Sequence, residues 1–105
     1  MKQYKVQITD SALSDMEEIY NYIAYQLQAP ETAMNQYNRI ADAIETLDKF
    51  PERVKLMEIE GDRSLGLRQL LVDNYSVFFN IREERIIVTN VLYSASDIIK
   101  RLGDL

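Results

Sequence analysis

The fold is decided by residues 67–93, LRQLLVDNYSVFFNIREERIIVTNVLY. Three runs rich in β-branched and aromatic residues, 67–72, 75–82 and 85–93, are separated only by Asp73-Asn74 and Glu83-Glu84. Runs this close together predict an antiparallel meander, because two-residue loops join neighbouring strands. Asp-Asn accepts the positive φ of a tight turn, whereas the second turn is predicted from loop length alone.

The pairing of Val72 with Tyr75 and of Arg82 with Arg85 would sort the side chains of the meander onto two faces. The predicted core face carries Leu70, Val72, Tyr75, Val77, Phe79, Ile81, Ile86, Val88 and Leu92, with Arg68 at one end and Asn90 as a polar exception. The opposite face, here called the mixed face, carries Leu67, Gln69, Leu71, Ser76, Phe78, Asn80, Arg82, Arg85, Ile87, Thr89, Val91 and Tyr93. The mixed face is either a contact surface for a macromolecule or a surface covered by the chain's own C-terminal helix.

One strand and two helices are predicted before the meander. Alternation over 4–8 indicates a short strand that joins the sheet, because a lone strand is not stable. Thr9 or Asp10 caps a helix that extends to residue 28, with Asp15, Glu17 and Glu18 on its outer side.

Pro30 begins the second helix, which ends at Phe50-Pro51. The very short loop at Ala29 predicts an antiparallel helix hairpin packed on the core face. Residues 52–66 form an irregular connection, and Ser94 or Ser96 caps a last helix over 97–102. The predicted fold class is therefore α+β: an N-terminal strand, an antiparallel two-helix hairpin, a three-stranded antiparallel meander and a short C-terminal helix.

Composition narrows the class of protein. A chain of 105 residues makes one domain, 1–105, with one core. The sequence contains 47% apolar and 28% charged residues, which is typical of a soluble globular protein. It has no cysteine and no histidine, which removes disulfides, thiolate chemistry and imidazole chemistry, so we expect no cofactor and no metal. It shows no bilayer-spanning run and no leader, so we expect a cytoplasmic protein without a membrane partner.

The charge balance argues against a protein that depends on phosphate contacts. The net charge is -5 at pH 7, and nucleic-acid binders usually show the reverse sign. The acidic excess is concentrated in residues 1–50, which hold 4 Lys or Arg and 8 Asp or Glu, while residues 51–105 hold 8 and 9. A local basic patch on the sheet half therefore remains compatible with the sequence.

Several motifs accompany this order of elements. They are the segments 12–23 and Ile44-x-x-Leu47-x-x-x-Pro51, the strand motif Arg68-x-Leu70-x-Val72-x-x-Tyr75-x-Val77-Phe78-Phe79, and Val91-Leu92-Tyr93 before Asp97. Together with the order of elements, these motifs resemble the RelE/ParE superfamily of bacterial toxins from type II toxin–antitoxin systems, also called the plasmid stabilisation protein family. The resemblance covers nearly the whole chain. Within it we assign Arg68, Tyr75 and Asp97 to structure: Arg68 in an ion pair with an acidic helix end, and Tyr75 in packing.

The resemblance implies a toxin that a cognate antitoxin neutralises, but it leaves the activity open. Relatives either cleave messenger RNA on the ribosome or inhibit DNA gyrase, and fold alone does not choose between them. The basic positions of the ribonuclease members align with Gln69, Leu71, Ser76 and Ser94. The ParE-like members commonly show a histidine and then an arginine, where this chain has Tyr93 and Ser96.

Four residues are the remaining candidates for phosphate chemistry: Arg63, Arg82 and Arg85 as charge neutralisers, and Tyr93 as a proton donor. The simpler interpretation of Arg82 and Arg85 is a solvated turn beside Glu83 and Glu84.

The candidates for partner binding are Tyr22 and Tyr25 on the first helix, and Phe78 and Val91 on the mixed face.

Three functions follow from the sequence. The chain is a toxin that binds a protein such as DNA gyrase, a ribosome-dependent endoribonuclease acting on messenger RNA, or a non-toxic relative that only binds its antitoxin. Its assembly is either a homodimer or a hetero-oligomer with the antitoxin.

Overall fold

The computed structural model describes residues 3–57, 66–96 and 98–102. The elements are β1 (Lys5–Ile8), α1 (Asp10–Asn21), α2 (Pro30–Glu45), β2 (Arg68–Val72), β3 (Tyr75–Arg82), β4 (Arg85–Tyr93) and α3 (Ile98–Leu102). A π-helical turn, Tyr22–Gln26, continues α1, and two 3-10 turns, Thr46–Asp48 and Pro51–Arg53, follow α2. The fold is α+β, as predicted; the predicted site residues Arg63 and Asp97 lie outside the described residues.

The sheet has the strand order β1-β4-β3-β2. The meander is antiparallel, and its two turns close on the predicted pairs, Val72 with Tyr75 and Arg82 with Arg85. Asp73 and Glu83 begin these turns with φ values of 55° and 57°, so the first residue of each turn adopts the left-handed geometry that favours a tight hairpin. β1 lies parallel to β4 at the other edge, which makes the sheet mixed.

The two helices form the predicted hairpin. The backbone N–H of Ala12 donates to Thr9 Oγ1 over 3.1 Å, so Thr9 is the N-cap of α1. The prediction of one regular helix to residue 28 was wrong, because the helix widens into the π-helical turn, where the Leu27 N–H donates to the Tyr22 carbonyl. α2 begins at Pro30, as predicted.

The main core lies between the helix hairpin and one face of the sheet. It contains Ala12, Met16, Ile40, Ile44 and Leu47 from the helical layer and Val77, Phe79, Ile86, Val88 and Val91 from the strands. A charged contact adds to this packing at the β2–β3 turn. The Arg39 guanidinium donates to both carboxylate oxygens of Asp73, over 2.7 and 2.9 Å, and lowers the pKa of Asp73 below its ordinary value.

A β-bulge changes the faces of β4. Phe79 opposes Val88 and Phe78 opposes Asn90, so Thr89 is the extra residue that the β3–β4 register skips. The extra residue breaks the two-residue period, and Val91 consequently opposes Val77 and joins the main core.

Four face assignments on β4 were therefore wrong. We expected Asn90 and Leu92 on the core face and Val91 and Tyr93 on the mixed face. Asn90 and Leu92 instead oppose Phe78 and Ser76, two residues of the mixed face, while Val91 and Tyr93 oppose Val77 and Tyr75, two residues of the core face.

The mixed face is partly covered by the chain itself. Phe78 is fully buried in a second cluster with Leu67, Leu92 and Leu102, the last of which belongs to α3. Of the two interpretations offered by the sequence, cover by the C-terminal helix holds for this part of the sheet. No described helix combines the length and apolar character needed to cross a membrane.

Candidate protein-binding groove

A groove of about 590 Å³ lies where α1 passes the end of the sheet that carries the β2–β3 turn. One wall comes from α1 and its π-helical turn, the floor from the paired ends of β3 and β4, and the far side from the segment around α3. The lining residues are Asp15, Glu18, Ile19, Tyr22, Leu27, Asn74, Tyr75, Val91, Leu92, Tyr93, Ser96 and Arg101. The surface is thus largely aliphatic and phenolic, with charged groups among the lining residues.

Three tyrosines dominate the lining. Tyr75 and Tyr93 oppose each other across the β3–β4 ladder, with ring centroids 5.8 Å apart and ring planes tilted by 60°. Tyr22 reaches the groove from the π-helical turn, and π-helical turns frequently occur at functional sites. Burial raises the pKa of Tyr75, and the neighbouring Tyr93 and Tyr22 phenols raise it further, so Tyr75 is neutral at physiological pH.

Exposure of the rings shows that the groove is open to solvent. Tyr22 is 56% exposed and Tyr93 is 51% exposed. Leu27, at the end of the π-helical turn, is 57% exposed. Large apolar side chains that share one exposed surface are typical of an interaction site.

Asp15 fixes the floor of the groove. β1 ends at Ile8 opposite Val88, so beyond this point the described residues place no strand beside β4 on its β1 side. The Asp15 carboxylate replaces the hydrogen-bond acceptor of a neighbouring strand there: Oδ2 accepts the backbone N–H of Val91 over 2.9 Å. α1 is thereby tied to β4 two residues from Tyr93.

The protonation of Asp15 reflects its position. Burial raises the pKa of Asp15, and the Glu18 charge adds to the rise. The Val91 N–H, the Arg101 charge and the Asn90 side chain lower the pKa, but burial outweighs them. Glu18 is exposed, as the sequence predicts for the outer side of the helix, whereas Asp15 is partly buried; both line the groove.

The described candidates for phosphate chemistry do not converge. Arg82 and Arg85 are exposed at the β3–β4 turn, whereas Tyr93 lies at the other end of the 9-residue strand β4. At about 3.3 Å per residue, the eight steps along β4 place Tyr93 about 26 Å from Arg85. Ile86 lies within the main core and Ile81 packs against it. The neighbouring Arg82 and Arg85 therefore point to the opposite face of the sheet. Tyr93 lies on the same face as the main core.

Comparison with known proteins identifies the family of this chain. A family model described as the ParE toxin of type II toxin–antitoxin systems, parDE, matches residues 6–98. The chain belongs to the ParE toxin family. Comparison with curated protein sequences gives no match.

Three solved structures share the fold of this ParE family member. A chain of the chromosomal ParDE system from P. aeruginosa is 19% identical with a TM-score of 0.74, over 87% of this chain and 96% of that chain. A chain of the RelBE2 toxin–antitoxin complex from Mycobacterium tuberculosis is 17% identical with a TM-score of 0.61, over 87% and 98%. A chain of the RelE-RelB complex from Pyrococcus horikoshii is 16% identical with a TM-score of 0.54, over 89% and 97%.

In this ParE family member, the four positions that we align by sequence resemblance with the basic groups of the ribonucleases are neutral, and three of them contact one another. Gln69 Nε2 donates to Ser76 Oγ over 2.9 Å, and the Ser76 and Ser94 hydroxyls are 2.8 Å apart. Ser76 is fully buried, while Leu71 is exposed on β2. These side chains therefore join β2, β3 and the segment after β4.

Arg68 binds backbone groups. Its Nη1 donates to the Val54 carbonyl over 2.6 Å and to the Glu52 carbonyl over 3.3 Å. The described partners of Arg68 are therefore backbone carbonyls and not the acidic helix end that we expected. The contacts attach the segment after α2 to β2.

Two of the four predicted partner-binding residues are exposed, and two are not. Tyr22 and Tyr25 are exposed, and of these Tyr22 lines the groove. Phe78 and Val91 are almost completely buried, so the expectation that their side chains offer a contact surface was wrong. The physical reasons are the cover by α3 for Phe78 and the bulge for Val91.

Proposed function

We propose that this chain is a toxin that acts by binding a protein target, DNA gyrase, and that a cognate antitoxin neutralises it in the cytoplasm. The observation that carries the proposal is the separation of Arg82 and Arg85 from Tyr93 by the length of β4 and by the thickness of the sheet. A ribonuclease needs cations and a proton donor around one phosphate, within hydrogen-bond reach of it. A toxin that acts by binding needs only a complementary surface.

The open, aromatic groove supports binding as the mode of action. Tyrosine is enriched at protein interfaces because its ring supplies apolar contact area and its hydroxyl supplies a hydrogen bond. The ParE family model supports a toxin of a toxin–antitoxin system. The structures with the same fold come from a ParDE system and a RelBE2 toxin–antitoxin complex, which supports an antitoxin as the partner of this chain.

The proposal is tested by adding the purified toxin to two reactions, DNA supercoiling by gyrase and translation on ribosomes with a toeprint readout. We expect loss of supercoiling, no new toeprint, and recovery of supercoiling when the antitoxin encoded beside the toxin gene is added. Cleavage of messenger RNA in the ribosome would replace the proposal by the endoribonuclease. If the protein changed neither supercoiling nor the toeprint but still bound the antitoxin, it would be a non-toxic antitoxin-binding relative.

A further inference from the structure

We propose that the phenolic groove is an aromatic cage that takes one lysine or arginine side chain of the cognate antitoxin. The inference rests on the proposed function, because it takes the antitoxin to be the partner, and it adds the chemistry by which this surface is recognised. The cage consists of Tyr22, Tyr75 and Tyr93, with the Glu18 carboxylate as its counter-charge.

The ring arrangement suits a cation. An ammonium or guanidinium group is attracted to the face of an aromatic ring when it lies within about 6 Å of the ring centroid. Tyr75 and Tyr93 have centroids 5.8 Å apart, so one cation can lie within that distance of both. Their planes are tilted by 60°, so the rings are not stacked face to face, and both line the groove together with Tyr22.

The charges of the lining residues also favour a cation. The lining contains two carboxylates, Asp15 and Glu18, and one guanidinium, Arg101, so its formal net charge is -1. Asp15 is engaged with the Val91 N–H and lies in the field of Arg101, which offsets its charge. Glu18 remains as the carboxylate available to an incoming cation on the same wall as Tyr22.

The surroundings point to an antitoxin segment and not to a free cation. The exposed Leu27 and Tyr22 continue the groove with apolar surface, which fits aliphatic residues beside the basic one. The helix hairpin, residues 10–45, carries 7 acidic residues and 1 basic residue, so a basic segment is attracted to the helical side of the molecule. A partner that keeps the toxin neutralised has to remain bound, and burial of these exposed side chains supplies that stability.

Paired substitutions separate the ring face from the hydroxyl. Tyr22→Leu and Tyr93→Leu remove a ring, and each should weaken antitoxin binding about fivefold to tenfold. Tyr22→Phe and Tyr93→Phe keep the ring and should stay within about twofold of the native affinity. Glu18→Gln should weaken binding and reduce its dependence on salt. Phe50→Leu is the control for loss of an exposed ring, because Phe50 is 63% exposed but is not a lining residue of the groove.

Isothermal calorimetry of the native complex and of each variant measures these effects, and circular dichroism confirms that each variant is folded. Equal losses for the Phe and Leu variants would show that the hydroxyls, and not the ring faces, bind the partner. Native affinity in both Leu variants would show that the antitoxin binds elsewhere. Either result would overturn the cage.

A small probe tests the cation directly. In an NMR titration, Nα-acetyl-arginine methylamide should shift the ring signals of the cage tyrosines, whereas the neutral citrulline analogue should not. Equal shifts with both compounds would overturn recognition of charge. Failure of the cage and failure of the proposed function give different results. If the antitoxin binds through the cage but the toxin does not reduce supercoiling, only gyrase as the target is refuted.

Discussion

The backbone N–H of Val91 donates to Asp15 Oδ2 over 2.9 Å, and this bond joins two residues 76 positions apart in the chain. It occupies the place where a further strand residue would pair with β4 after β1 has ended opposite Val88. Because Val91 follows the bulge and precedes the Tyr93 end of β4, the bond supports both the main core and the floor of the groove.

Replacement of Asp15 by alanine should lower the free energy of unfolding by about 1–3 kcal/mol, because the buried Val91 N–H loses its acceptor. Asp15→Asn should cost less, since the amide oxygen can still accept this bond. Urea unfolding followed by circular dichroism measures both values. Glu17→Ala, at an exposed position of the same helix, is the control and should change stability by less than about 0.5 kcal/mol.

Asp15 should also make stability depend on pH. Its folded-state pKa is raised above the ordinary 3.8, mainly by burial, so the folded protein holds the proton more tightly than the unfolded chain does. The stabilisation from the protonated carboxyl is complete below 3.8 and is lost as the pH rises through the folded-state pKa. The Asp15→Asn variant has an amide that does not titrate here, so it does not lose this stabilisation. The stability of the variant relative to the native protein should therefore increase as the pH rises above 3.8. Parallel denaturation curves at a series of pH values test this; a constant difference between the two proteins would contradict it.

The sequence predicts the meander correctly because turn chemistry and strand periodicity are local. Asp73 and Glu83 take positive φ values, and both hairpins close on the expected pairs. The groove was not predicted, because the strand pattern gave no bulge at Thr89 and because the Val91 N–H binds Asp15, which lies far away in the sequence. A single unpaired residue reverses all later side chains, so strict alternation placed Tyr93 and Val91 on the wrong face. The polar residues Thr89 and Asn90 within an apolar strand were the available signal.

The two arginines of the β3–β4 turn provide a test of the mode of action. The double variant Arg82→Gln, Arg85→Gln should inhibit gyrase within about twofold of the native toxin, because surface substitutions away from a binding site have little effect. If these residues instead stabilised charge in a phosphate-cleaving site, their removal should reduce cleavage by about 10²-fold or more. Dose–response curves for supercoiling, and toeprints of the same preparations, distinguish the two results.

Phe78 should stabilise the fold and not contact a partner. It is fully buried against Leu67, Leu92 and Leu102, so Phe78→Ala leaves a cavity in the second cluster and should cost about 3–5 kcal/mol of unfolding free energy. Phe78→Leu keeps most of the buried volume and should cost less. The readout is urea unfolding together with antitoxin affinity, measured at a temperature where each variant is still folded. A contact residue would show the opposite pattern, with native stability and weakened binding. The fully buried ring predicts a marked loss of stability and an affinity that stays native for as long as the protein is folded, because α3 covers this part of the sheet before any partner arrives.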